Sequence, residues 1–441
     1  MRIHLLITLA LAGSDATELL ANSAAPSALD TPAQIAAEKR ALQFLADPQV
    51  KAEQAKLRAE LAATPVGQTQ EGAAQLDRAI AEWTSSYVIG EIAGDPAKPQ
   101  ILWNIDDTPH SWHGHSLAMA VAGDNPDHIY RITSIDGAGR YEIIGQIDTA
   151  RRPAQFSFES IRKKADLRQT ASSPDMGGQV QMLTDREIEV KPDGSFRLTV
   201  GGPGDEPNHL RTEAVATTIA FRDVLSDWNQ HPNRLSIRRL DVPTAHRTDA
   251  AALRQHLLDG LPDYVRFWAH FTDKWFGGLK PNVPVGPVAR DGNWGYLAAA
   301  RYVLRSDEAV VITTTRGGAR YTGIQVTDAW AIAPDSSKHQ ASLNVSQAVA
   351  NPDGSYSYVL APQDPGIANW IDTAGIHDGY VLMRWQGFEA GSAGTALLRD
   401  YRVVKFSDLK AVLPVTTRFV SRAARARAIA ARAAAYKKRI E

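Results

Sequence analysis

The sequence predicts a mainly β protein with helical segments: two tandem, jelly-roll-like antiparallel β-sandwich modules with a helical N-terminus, a helical connector and a C-terminal helix. Three observations carry this expectation. A motif recurs, because Pro192-Asp193-Gly194-Ser195-Phe196 opens the run Arg197-Leu198-Thr199-Val200, and Pro352-Asp353-Gly354-Ser355-Tyr356 opens Ser357-Tyr358-Val359-Leu360. An Asn-x-x-x-Thr run follows each, Asn208 to Thr212 and Asn369 to Thr373. Beyond Trp83, short alternating runs are punctuated by Gly, Asp and Pro, as antiparallel hairpins require. The flanking stretches instead repeat apolar residues at the helical period.

Self-similarity at long period implies tandem modules. Upstream, Gly139-Arg140-Tyr141 with Gln146 reads as the partner of Ala319-Arg320-Tyr321 with Gln325. The downstream landmarks lie about 160 residues apart and the upstream ones about 180, which places an insertion near Arg162 to Gly178.

Residues 1–82 read as a helical segment. Leu5 to Gly13 is apolar enough for a signal peptide within residues 1–25, although Asp15 and Glu18 follow closely. Asp30-Thr31-Pro32 is a helix start, Pro48 a break, and Pro65 with Gly67 a stop. Residues 83–245 form the first β-module, with strands at Tyr130–Thr133, Tyr141–Ile144, Phe196–Val200, Thr217–Val224 and Leu235–Leu240. The connector, 246–285, is helical from Thr248 to Gly277, with Pro262 predicting a kink or a division into two helices. The second module, 286–410, has strands at Ala309–Thr315, Tyr321–Val326, Tyr356–Leu360 and Tyr380–Trp385. Residues 411–441, rich in Ala and Arg, form a basic helix read as solvated.

Composition bounds the function. The 441 residues suffice for two or three cores, and a formal net charge of −1 argues against a nucleic-acid binder. With no cysteine there is no disulfide framework and no thiolate nucleophile. No later stretch reaches the length of a membrane span. The cytoplasm is favoured over the periplasm or secretion, no cofactor is expected, and the number of subunits stays open.

The second module also resembles a known family. Tyr321-x-Gly323-x-Gln325-x-Thr327-x-x-Trp330, Ser342-Leu343-Asn344-x-x-Gln347-Ala348, Asp364-Pro365-Gly366-x-x-Asn369-Trp370-x-Asp372-Thr373, Gly375 and Arg384-Trp385 are similar to the bacterial domain-of-unknown-function family 1214, over Trp294 to Gly387. Gly123-Asp124-Asn125-Pro126-Asp127-x-x-Tyr130 is similar to the segment that often precedes that domain. The resemblance implies a double β-sandwich with helical packing elements and supplies no mechanism.

Asp364 to His377 is the strongest candidate site. Asp-Pro-Gly is turn chemistry and presents side chains at the end of a sandwich. Trp330 and Trp370 would form an aromatic platform, Asn344, Gln347, Asp364 and Asn369 would read hydroxyls, and Asp372 and His377 would act as general base and acid. Asn369 and Thr373 recur in the first copy as Asn208 and Thr212, which favours architectural roles for them. Trp370 and Asp372 are His209 and Arg211 there, which favours a special role. A second cluster, His110-Ser111-Trp112-His113-Gly114-His115, would put His113 and His115 on one face of a strand, as metal ligands need, with Asp106, Asp107 or Asp124 as carboxylate; turn and surface histidines are the alternative, and no metal site is assigned. The resulting expectation is a hydrolase or lyase acting on a hydroxylated cyclic compound such as a glycan or aromatic glycoside. The alternative is a non-catalytic carbohydrate- or small-molecule-binding β-sandwich protein.

Overall fold

The computed structural model describes residues 27–162, 178–243, 249–290, 294–389 and 394–440. The signal-peptide reading and the proposed insertion in the first copy lie outside these residues, apart from Arg162 and Gly178. Three helices open the described residues: α1 (Pro32–Leu45), α2 (Pro48–Ala62) and α3 (Gln70–Ile92). Each is capped by a side chain that accepts a backbone N–H: Thr31 from Gln34, Asp47 from Gln49, Thr69 from Gly72. Pro32 and Pro48 sit in first turns, where a missing N–H costs nothing. Helix α3 runs beyond the expected boundary at Trp83 to Ile92, because Trp83, Tyr87 and Val88 are buried at helical rather than alternating spacing.

The first sandwich contains β1 (Leu102–Trp112), β2 (His115–Met119), β3 (His128–Ser134), β4 (Tyr141–Gln146), β5 (Gln155–Arg162), β6 (Gln179–Thr184), β7 (Ser195–Val200), β8 (His209–Leu210), β9 (Ala216–Val224) and β10 (Arg234–Arg239). A six-stranded sheet, β2-β1-β3-β9-β5-β6, faces a four-stranded one, β10-β4-β7-β8. Between them Phe156 stacks on Phe196 and Phe158 meets Phe221 edge-on, in a core with Tyr141, Leu198 and Ile219.

Helix α4 (Ala250–Thr272) follows and passes into a π-helical turn, Asp273–Gly277. It is one helix across Pro262. It crosses α3 at Gly260, where a Cβ would come within 2.2 Å of the Tyr87 hydroxyl.

The second sandwich holds β11 (Val285–Arg290), β12 (Gly295–Val303), β13 (Glu308–Thr314), β14 (Tyr321–Thr327), β15 (Ser342–Asn344), β16 (Tyr356–Ala361), β17 (Trp370–Asp372), β18 (Asp378–Gln386) and β19 (Leu398–Lys405). Its sheets run β11-β12-β18-β14-β15 and β17-β16-β13-β19. Strand for strand this is the first sandwich again, with β2 as an extra edge strand in the first copy. Both copies even share a short parallel pair, β7 with β8 and β16 with β17, within otherwise antiparallel sheets. The pairing corrects one expectation. Tyr141 opens β4 in the smaller sheet of its sandwich, whereas Tyr321 opens β14 in the larger sheet of its own. The counterpart of β4 is β13, and that of β14 is β5. Local resemblance of two Arg-Tyr turns does not determine which strands hydrogen-bond.

The helices cover the outer faces of the larger sheets. Trp83, Trp103, Trp228, Trp268 and Trp330 join α1, α3 and α4 to both sandwiches in one apolar cluster. A short helix, α5 (Leu409–Val412), and the C-terminal helix α6 (Arg422–Ile440) close the chain.

Candidate ligand-binding groove

The residues expected to share a pocket are distributed among three packing regions. Trp330 lies in the helix-facing core at 1 % exposure, its indole donating to the Gly72 carbonyl and meeting Trp83 edge-on. Asn344 is buried and donates its amide to Asp127 of the first module. Gln347 accepts from the Asn344 N–H and from Arg432. Asn369 accepts the Val349 N–H and donates to the carbonyls of Val349 and Ser357. Asn208 makes the same reciprocal pair with Glu189 in the first copy, so this asparagine closes the same backbone contact in both copies.

Trp370 is buried at 6 % exposure against Ile367, Leu409 and Leu413, with its indole N–H on the Ala361 carbonyl. Asp364 caps the Gly366 N–H and pairs with Arg425 of α6. Asp372 accepts the Ala374 N–H and holds His339 at 2.8 Å, which raises the His339 pKa through that hydrogen bond. His377 bonds elsewhere: its ring to the Leu304 carbonyl and its backbone N–H to Glu71. Trp370 and Asp372 depart from His209 and Arg211 because the chain covering them differs. Helix α6 and the α5 segment cover that side of the second sandwich, and the Arg425 guanidinium lies over the Trp370 ring. The two tryptophans are therefore packed into cores and offer no open platform.

The basic tail is likewise part of the fold. Arg425, Arg432 and Tyr436 share one face of α6 and are buried. Arg432 donates to the Ser336 carbonyl and the Ser342 hydroxyl and lies over Trp228; Arg425 donates to the carbonyls of Ile367 and Ala368. An apolar-face criterion reads α6 as solvated, because its buried face is made of guanidinium and phenol groups.

The histidine cluster is closed as well. His113 and Gly114 form the β1–β2 turn, both with positive φ, so His113 and His115 do not lie side by side on one strand. His113 pairs with Asp30 and His115 with Glu38. His110 is buried between Asp106 and Glu38, and Tyr436 donates to Asp106. Desolvation opposes its charge, but hydrogen bonds to the two carboxylates prevail and lift its pKa to about 9. Glu38 is held at about 2, because bonds from His110, Gln34 and Trp112 outweigh the burial that would raise it. Among the described residues no group of three or more His, Asp or Glu is arranged to hold a metal ion.

An opening exists elsewhere, on the outer face of the β17-β16-β13-β19 sheet. A groove of about 490 Å³ has Val311 and Thr313 of β13 and Ser355 and Ser357 beside and on β16 as its floor. The Asn351–Ser355 turn and Arg399 bound one side, and Val412, Leu413 and Pro414 the other. The turn is rigid: Asp353 accepts both the N–H and hydroxyl of Ser355, while Asn351 donates to the Ser355 and Ser357 hydroxyls. The bond from Ser355, then that from Arg399, holds the Asp353 carboxyl below its ordinary range.

The first copy shows why the groove is open. Strand pairing aligns Glu142 with Val311, Ile144 with Thr313 and Arg197 with Ser357. There Glu142 takes Arg197 at 2.5 Å and Arg238 at 2.6 Å across the same face. In the second copy valine and serine replace the acid and the first arginine. Arg402, opposite Val311, turns to Asp400 and the Val412 carbonyl. Small residues leave space where long ones fill it. This groove was not found from the sequence, although the exchange of Arg197 for Ser357 within aligned motifs was visible there.

No family model and no curated protein matches this chain. Among solved structures it is similar to an uncharacterized protein from Burkholderia cenocepacia, with 23 % identity over 84 % of this chain and all of that one, at a TM-score of 0.68. A protein of Vibrio parahaemolyticus matches more distantly, with 11 % identity over 64 % of this chain and 90 % of its own, at a TM-score of 0.39. The first likeness supports the mainly β architecture with its helical additions. Among the described residues no helix is long and apolar enough to cross a membrane.

Proposed function

We propose that this protein is a non-catalytic small-molecule-binding β-sandwich protein that takes a hydroxylated cyclic compound, such as a sugar or aromatic glycoside, in the groove of the second sandwich. The observation behind this reading is the groove's lining. Hydroxyl, amide and carboxylate groups from Thr313, Ser355, Ser357, Asn351 and Asp353 can meet ring hydroxyls. The Val412–Pro414 side offers an apolar surface for a ring face. Among the described residues the lining has no imidazole, and its one carboxylate is held ionised by Ser355 and Arg399. General acid–base catalysis needs a group poised near the working pH, so binding is favoured over turnover. The hydrolase or lyase reading requires Asp372 and His377 to meet over a substrate; each is engaged with a different partner. Kinship with family 1214 belongs to the same proposal.

The test is calorimetric titration of the full chain with neutral monosaccharides and phenyl glycosides. Saturable binding is expected to disappear in Thr313→Ile/Ser357→Arg, which restores first-copy residues, while the melting temperature holds. Asp372→Asn should bind like the parent. Absence of binding by both compound classes, or binding indifferent to the double variant, would overturn the assignment.

A further inference from the structure

Between the two sandwiches lies an arginine that, among the described residues, forms no ion pair with an acid. Arg222 of β9 stands beside Tyr130 of β3 on the outer face of the larger sheet. Its guanidinium carbon is 4.0 Å from the Trp294 ring centroid and 4.9 Å from that of Tyr130. Among the described residues no side-chain hydrogen bond or ion pair accompanies these two ring contacts, and its buried Nε has no hydrogen bond. A desolvated guanidinium ordinarily has a carboxylate, and cation–π contacts return only part of the lost hydration.

The surroundings have been assigned elsewhere. Arg384 donates to Gln325 and to the Gly123 carbonyl. Asp127 is taken by Trp228, Asn344 and Tyr321. The Tyr321 hydroxyl accepts from Asn125, and His128 bonds Tyr130 at 3.1 Å. Glu159 favours the charge of Arg222 and, among the described residues, forms no ion pair with it, while Arg290 and Arg384 both repel that charge. Burial and these two neighbours push the Arg222 pKa down. The site is thus electropositive and walled by aromatic rings that cover the guanidinium faces. As a whole residue Arg222 is neither fully buried nor fully exposed, and a guanidinium receives an oxyanion at its N–H edge through two parallel hydrogen bonds.

We infer that Arg222, held between Tyr130 and Trp294, is the anchor of a binding site for a small oxyanion, a carboxylate or phosphate, at the junction of the two sandwiches. This site is separate from the groove on the second sandwich and does not depend on it. The full chain is titrated with benzoate and with inorganic phosphate. Crystals are soaked with p-bromobenzoate so that bromine marks the position. Binding by either anion is expected to weaken by about tenfold to a hundredfold in Arg222→Gln. Arg290→Ala, at an exposed edge position, should weaken it several-fold. Bromine density beside Arg222 supports the site even if Arg222→Gln fails to fold. The proposal is overturned by no binding of benzoate or phosphate at millimolar concentration, or by binding unchanged in a folded Arg222→Gln. It is equally overturned by bromine density elsewhere and none at this position. A preference for benzoate would identify the ligand as a carboxylate, and one for phosphate as a phosphate.

Discussion

The two sandwiches have the same strand order and different outer faces. In the first copy the outer face of the small sheet is sealed by Glu142 with Arg197 and Arg238, and the chain leaves β8 through exposed Arg211. In the second that face meets the short helix α5 at one end and forms a groove lined by Thr313 and Ser357 at the other. Duplication conserves what closes the backbone, namely the Pro-Asp-Gly-Ser turn and the reciprocal asparagine pair. It leaves outward side chains free to diverge: in the first copy they pair with one another, and in the second they meet α5 and Arg425 outside the repeat.

The largest test of that comparison is at the paired positions His209 and Trp370. Trp370→Ala should cost about 3–5 kcal/mol by emptying a packed site under α5 and α6. His209→Ala, whose ring bonds only Thr199 at 2.8 Å among the described residues, should stay within about 1 kcal/mol. Denaturant unfolding would measure both; equal losses would break the comparison.

A pH series addresses an asymmetry of the first copy alone. Its β1 strand is tied to helices from both ends of the chain through Glu38, His110, Asp106 and Tyr436. His110 has a folded pKa of about 9, above its ordinary 6.5. Its contribution is therefore complete below pH 6.5 and is lost as the pH rises through about 9. Glu38, lowered to about 2, contributes fully above its ordinary 4.5 and loses that contribution as the pH falls through about 2. Thermal unfolding of the parent should weaken over the alkaline window, and His110→Gln should flatten that limb. An unchanged alkaline limb in a folded His110→Gln would assign it to other groups.

The smallest effect is expected from Arg197→Ser, which gives the first copy the second copy's residue. Arg197 is exposed, so losing its bond to Glu142 should cost no more than about 1 kcal/mol. Glu142 keeps Arg238. A larger loss would mean that the ion network carries the sheet rather than merely covering it.

Much of the fold was legible because turns and periodicity are local. Asp193 and Asp353 announce their turns by bonding a serine two residues on, and Thr31 its helix by capping Gln34. The site was less legible. Trp330, Trp370, Asp364 and Asp372 look like a pocket in one dimension because polar and aromatic residues alternate there. Their partners are Gly72, Arg425 and His339, which no local spacing reveals.

The sequence by itself determined two tandem β-modules, their repeated turns and the helices around them, since each follows from side-chain period and backbone conformational preference over a few residues. Tertiary structure alone decided which strands pair, that Trp330 and Trp370 are core, and that the arginines of the tail are buried. It also decided that Thr313 and Ser357 line a groove while Arg222 lies against two rings. Burial and polar satisfaction are set by groups distant in the chain, so these properties appear only once the sheets and helices have met.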